Sequence, residues 1–267
     1  MTRVLGPGYG VNRRGDGRRA GKIRMLKLST QIHKWLALVV GVQVLGWVLG
    51  GLVMTTIPIE RVRSEHHIAK FQPPVLPAGG LLDHRAAAAA MGVAAVEATL
   101  KTTPRGAVWV LRDGAGASHV VDAVTGQPMT PASATEVRRL ASLQYAGKGH
   151  PVAARWFATA PQEAGKPGPL WRVDFSDAEG TSFYLSPQTG EVVSRRSNVW
   201  RLYDVFWRIH ILDFKTGDNF NNPLIIAAAA LTLPVAVTGL ILLWIRLGRD
   251  WKGVRARARG LRAQDPA

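Results

Sequence analysis

The chain has 267 residues, a formal net charge of +16 and no cysteine, which excludes disulfides, thiolate metal sites, a cysteine nucleophile and covalently attached c-type haem. The charge would suit a nucleic-acid binder, but its placement argues otherwise: residues 1–34 carry 9 Lys/Arg against 1 acid and residues 246–267 carry 7 against 2, leaving 18 against 15 for everything between. Basic ends beside apolar runs follow the positive-inside pattern, with both termini cytoplasmic and the middle translocated, so lipid headgroups rather than nucleic acid are the expected anionic partner.

Residues 1–24 are rich in Gly and Arg and read as disordered. Residues 35–59 then contain no charged side chain, and Gln43 is the one strongly polar residue among them. As a helix these 25 residues reach roughly 37 Å, enough for a hydrocarbon core of about 30 Å. The run exceeds a signal-peptide core and no A-x-A site follows, so it is expected to remain as a membrane anchor. Gly46 and Gly50 form a G-x-x-x-G surface, suited to packing against the second span of the same chain or to homodimerisation.

After Pro58 and a charged exit come His66, His67 and a stiff Pro/Gly linker up to Gly80. Asp83 caps a predicted helix over the Ala-rich run to Leu100, and strands are predicted at 107–112 and 117–121. The order then recurs, with a helix over 133–145 and strands at 152–157, 170–175 and 181–185. Asp113, Gly116, Thr125 and Gly126 shifted by 64 land on Asp177, Gly180, Thr189 and Gly190, which argues an internal repeat of a helix on a small antiparallel sheet.

Trp200, Tyr203, Phe206, Trp207 and His210 recur every three or four residues, predicting an amphipathic helix over 199–214 at the membrane surface. Asn222 and Pro223 are an N-cap and first-turn pair for a second apolar span, which contains Pro234.

Chemistry is harder to place. Adjacent histidines on a helix point about 100° apart, so His66 and His67 are not expected to chelate one metal. Asp204 and Asp213 flank His210 and would suit fixing its tautomer. Ser176, Ser182 and His119 have no nucleophile–base spacing, and neither a phosphate-binding glycine loop nor an HExxH occurs.

Gln31-Ile32-His33-Lys34-Trp35 at the start of span one, the two hairpin units, Tyr184-Leu-Ser-Pro-Gln-Thr-Gly-Glu-Val192, and Thr238-Gly239 with Trp244 in span two together resemble the PepSY-associated transmembrane family, over roughly residues 26–247. The resemblance implies an α+β chain in the bacterial inner membrane, two transmembrane helices flanking a periplasmic domain of two PepSY-like helix-plus-antiparallel-sheet repeats. The corresponding layout is a basic disordered cytoplasmic tail (1–28), transmembrane helix 1 (29–58), a linker (59–80), repeats at 81–130 and 131–198, a juxtamembrane helix and loop (199–222), transmembrane helix 2 (223–245) and a basic cytoplasmic tail (246–267).

Members with four spans resemble ferric-siderophore reductases that hold b-type haem between histidines. By the same resemblance His33 and His210 are the candidate haem b ligands here, although this chain has two spans and no histidine inside either. The two lie about a bilayer thickness apart, so a bis-histidine haem would pair His33 with its mate in a second subunit, or His210 with His66, His67 or its own mate; either route favours a homodimer or a partner membrane subunit. The implied function is haem-bearing or accessory, in reduction of ferric-siderophore or similar metal chelates. The other implied function is a non-enzymatic binding or regulatory module, as where PepSY units control peptidases. Enzymatic activity stays open between the two.

Overall fold

The computed structural model describes residues 13–69, 75–76 and 79–262. They divide into two compact units: residues up to Gly51 together with those from Ile209 onward, and Leu52–Arg208.

The first unit contains most of helix α1 (Arg13–Thr56) and all of α6 (Pro223–Arg262). Lys34–Thr56 and Pro223–Val254 are long and apolar enough to cross a membrane, and almost none of either is buried inside the protein. A core helix of a soluble protein would be covered, and these two are not. Both run further than the expected spans. The expected disordered tail is helical from Arg13, with residues 1–12 outside the described residues, and the second basic tail is helical to Arg262. Elongating an existing helix costs far less than nucleating one, and Arg, Lys, Ala, Leu and Met are good helix formers.

The turn into α6 is built from side chains. Leu212 takes a left-handed conformation, φ 52°. Asp213 then accepts hydrogen bonds from the backbone N–H groups of Lys215, Thr216, Asp218 and Asn219. Asn222 Oδ1 accepts from the Ile225 N–H at 3.0 Å, capping α6, while its Nδ2 donates to Ile211 O. Pro223 fills the first helical position, where its missing N–H costs nothing. A side chain at Gly46 would meet Ile209, which precedes the second span, at 3.9 Å.

The second unit begins with a single helical turn, α2 (Ile59–Val62), and a 3₁₀ turn, Glu65–His67. The expected linker is therefore structured over much of its first ten residues; residues 70–74 and 77–78 of it lie outside the described residues. Helix α3 (His84–Met91) starts on the Asp83 cap and stops at Gly92, φ 62°. The helix expected to reach Leu100 is thus shorter, and β1 (Ala95–Thr103) follows instead. Gly92 supplies the left-handed stop, and Val96, Thr99, Thr102 and Thr103 are β-branched residues that suit a strand. β1 pairs antiparallel with β2 (Gly106–Asp113), and β2 with β3 (Ser118–Asp122). Next come α4 (Ala134–Leu143), capped by Ser133, and an antiparallel sheet β4 (Pro151–Phe157), β5 (Leu170–Phe175), β6 (Ser182–Leu185) and β7 (Val192–Arg196). β7 is a strand the sequence pattern did not disclose. The chain then enters α5 (Asn198–Ile211).

A helix followed by an antiparallel meander occurs twice, with three strands and then four, and some turn hydrogen bonds correspond. Asp113 Oδ1 accepts from Ala117 N and Asp177 Oδ1 from Thr181 N, each at 2.9 Å. Gly126 N donates to Asp122 O and Gly190 N to Ser186 O, again 2.9 Å each. Trp109 in β2 and Trp171 in β5 each reach the carbonyl just before a helix cap, Leu82 O and Ala132 O. One core holds the second sheet: Val137, Leu140 and Ala141 of α4 against Val173, Phe175, Phe183 and Leu185. Each large apolar side chain buried in this cluster contributes about 1.5–3 kcal/mol. Arg105, on the β1–β2 turn, ties the halves together through Glu136 Oε1 at 2.9 Å and Gln188 O at 2.8 Å.

Candidate metal centre

Ser64 is fully buried and left-handed, φ 54°. Turning the backbone there, rather than continuing α2, produces the single 3₁₀ turn that carries His66 and His67. Residues 67–69 then lie alongside residues 144–146: Ala69 N donates to Gln144 O at 3.0 Å, Ala146 N to His67 O at 2.9 Å, and Ile68 bridges Tyr145. His67 is thereby buried, 7 % exposed, and its ring stacks on Tyr145 at 5.6 Å between centroids. Tyr145 stacks in turn on Phe175 at 3.9 Å and donates its hydroxyl proton to Asp177 Oδ2 at 2.5 Å. Burial first, and the Asp177 carboxylate second, push the Tyr145 hydroxyl up to about 12, so it stays a donor at every physiological pH.

Asp177 also accepts from Thr181 N, which shapes the β5–β6 turn and aims Glu179 back at the histidines. His66 Nε2 and His67 Nε2 each donate to Glu179 Oε2 at 3.0 Å. The two rings lie 4.0 Å apart, a correction to the divergence expected for neighbouring residues. On a 3₁₀ turn followed by extended backbone, two adjacent side chains can share one target. The two rings beside Glu179, His67 first, hold its carboxyl below the usual carboxylate range. Arg61 Nη2 stands 4.0 Å from Glu179 Oε1.

One ligand atom from each of His66, His67 and Glu179 lies within 4.8 Å of the others. Metal–ligand bonds of about 2.1 Å place neighbouring donors about 3.0 Å apart at 90° and about 3.4 Å apart at tetrahedral angles. The two 3.0 Å nitrogen–oxygen separations therefore fit either geometry with little or no movement. Two imidazoles and a carboxylate suit divalent Zn, Fe, Co, Ni or Mn rather than Ca or Mg. Beside His66 and Glu179 opens a cavity of about 360 Å³, also lined by Pro58, Glu60 and Arg61, where further ligands can enter. Two features lower the affinity of such a site. The positive charge of Arg61 opposes a cation, although at 62 % exposure it is well screened. His67 Nδ1 is buried without a hydrogen-bond partner, so the ring lacks the outer support that typically strengthens metal binding about 10–100-fold.

Of the two residues singled out as haem ligands, only His210 has a described side chain. His33 lies on α1, its side chain outside the described residues. His210 lies near the end of α5, its ring 6.4 Å from Trp47 and its Nδ1 buried without a partner. Among the described residues His210 offers one nitrogen to such a group. Asp204 is engaged by Arg208 at 2.6 Å and Asp213 by loop amides, so both carboxylates expected to orient His210 have other partners. Ser176 Oγ meets His150 Nδ1 at 3.0 Å on an exposed edge, far from the enclosed setting a nucleophile needs. Glu179 was missed in the sequence, yet it carried a signal: at the repeat offset its counterpart is Ala115, so the second turn has gained a carboxylate where the first has a methyl.

No curated protein and no solved structure matches the chain. The family model described as "PepSY-associated TM region" matches residues 30–264, nearly the whole chain and both spans. That match, across both helices long and apolar enough to cross a membrane and the mixed helix and antiparallel-sheet segment between them in sequence, establishes that the chain belongs to the PepSY-associated TM family.

Proposed function

We propose that this protein is a membrane-anchored metal-binding module, in which His66, His67 and Glu179 hold a divalent first-row transition-metal ion. The observation that carries the reading is the convergence of three ligand atoms from segments more than 110 residues apart, one on a nearly buried ring. Both helix–sheet units are read as PepSY-like repeats facing the periplasm from the inner membrane, with both basic ends cytoplasmic, which the charge distribution supports. A periplasmic metal site fits handling of iron or other metal chelates, such as ferric-siderophores. Titration of the full-length protein with Co(II) tests the metal. One equivalent is expected to produce visible d–d absorption that Zn(II) displaces and His67→Ala abolishes. A featureless titration at stoichiometric protein overturns the reading.

A second reading, haem b on His210, is favoured by the unpartnered Nδ1 in the first unit. His210 would supply a single axial nitrogen, and a second ligand would come from another subunit of a homodimer. The chain's own part in that arrangement is to hold the ring beside Trp47. A dithionite-reduced spectrum with a b-type α-band, lost in His210→Ala, is the expected result. A colourless protein from haem-replete cells removes this reading and leaves the metal module intact.

A further inference from the structure

A metal ion on His66, His67 and Glu179 would be held from one side. The three residues offer one ligand atom each, whereas the metals they suit take roughly four to six. Two-imidazole, one-carboxylate sets of this kind leave the remaining positions open. On the His67 side the site is closed, because that ring is nearly buried against Tyr145. The approach from solvent is the cavity that His66 and Glu179 share with Pro58, Glu60 and Arg61. Glu60 and Arg61 stand on the single turn of α2, which buried Val62 and Ser64 fasten to the protein.

Arg61 suits this cavity poorly to a bare cation. Its Nη2 lies 4.0 Å from Glu179 Oε1, the second oxygen of the carboxylate whose Oε2 meets both imidazoles. An ion on those imidazoles faces a guanidinium across the width of one carboxylate, and the two repel. An ion that carries an oxyanion reverses the sign. One oxygen of the anion coordinates, and another accepts from the guanidinium, whose planar fork matches a carboxylate. Charge balance agrees: a divalent ion and Arg61 against Glu60 and Glu179 leave one positive charge, which a monoanion cancels.

We propose that the site takes its metal as a ternary complex, in which a small planar oxyanion, bicarbonate or a carboxylate group, completes the coordination from the cavity and is held on its far side by Arg61. This rests on the metal reading above and specifies what accompanies the ion.

The test uses full-length protein in detergent, loaded with one equivalent of Co(II) and titrated with sodium bicarbonate or, separately, with sodium acetate. Each anion is expected to produce a saturable change in the d–d bands. Bicarbonate binding the tighter points to the free ion, and acetate binding the tighter points to a carboxylate on a larger chelator. Arg61 is 62 % exposed, so its replacement does not threaten folding. Arg61→Gln is expected to weaken the anion about ten-fold, the loss of one charge-assisted hydrogen bond at a partly screened position. The same variant is expected to bind Co(II) alone about two-fold more tightly, since a repelling charge is gone. Weaker Co(II) binding with unchanged anion affinity in Arg61→Gln would mean that the guanidinium only steadies Glu179, and overturns the proposal. Co(II) bands that ignore both anions also overturn it and leave the metal reading standing; if Glu60→Gln then loses Co(II) affinity, Glu60 fills the open position instead. Co(II) that never binds removes both readings.

Discussion

Glu179→Ala is the most informative single change. In the metal-free protein it removes a carboxylate that accepts from both histidines and is itself 30 % exposed. Two charge-assisted hydrogen bonds at that exposure, after screening, contribute about 1–2 kcal/mol. For a chain of this length about 1 kcal/mol corresponds to roughly 2–4 °C, so the variant should melt roughly 2–8 °C lower. Metal separates this loss from the ligand role. At a free metal concentration about 100 times Kd, binding stabilises the parent by about 2.7 kcal/mol, a rise of roughly 5–11 °C. Losing one direct ligand of three should weaken binding at least as much as losing outer support, about 100-fold at its upper end. At the same metal concentration the variant then gains about 0.4 kcal/mol, roughly 1 °C. Thermal melts of detergent-solubilised full-length protein with and without Zn(II) read both quantities. A metal-induced rise in Glu179→Ala equal to that of the parent would refute the ligand assignment, whatever its metal-free melting point.

The remaining expectations concern the frame around the site. Gln144 is 8 % exposed and bridges Leu140 O, Gly190 O and Val192 N, so Gln144→Met should cost about 2–4 kcal/mol, read as a lower urea midpoint; an unchanged midpoint counts against the bridge. Phe183→Ala empties the centre of the second sheet's core and should cost about 3–5 kcal/mol by the same assay. Gly190→Ala meets two obstacles, φ 69° and a new Cβ only 2.7 Å from Leu140 Cδ1; it should destabilise by about 1 kcal/mol or more, and a neutral result would mean that α4 moves freely. Asp213, held by Thr216 and loop amides, has its carboxyl well below the usual range. Its contribution is therefore present above the ordinary aspartate value and lost as pH falls below it, and Asp213→Asn should flatten acid-induced loss of amide protection at Asp218 and Asn219. Equal acid sensitivity in the variant would show that other carboxylates govern this loop.

What could be read from the chain followed the strength of the local signal. Charge-free runs and basic ends identified the spans, because hydrocarbon tolerates so few residue types. The Asp-x-x-Gly and Thr-Gly signals marked turns in both meanders, where the glycines take positive φ. The alanines that follow Asp83 suggested a helix as far as Leu100, but Gly92 and the four β-branched residues of β1 outweighed that propensity. The site was hidden for a different reason. His66 and His67 look divergent on any helix, and only the left-handed Ser64 and the pairing of residues 67–69 with 144–146 aim both at Glu179, a contact over 112 residues of sequence. Nothing local in the sequence encodes such a pairing.

That pairing also closes a long loop within the second unit. The polypeptide leaving α1 is stitched at His67 and Ala69 to the strand-like segment after α4, and only afterwards makes its excursion through β1, β2 and β3 before returning to the same sheet. Within this unit the stretch 67–69 is therefore fastened to the segment that leads into the four-stranded sheet, while the three-stranded sheet is joined to the later half through Arg105. The earlier half is thus enclosed in sequence by a closure between residues 67–69 and 144–146, a loop whose two ends are fixed before its own sheet is counted.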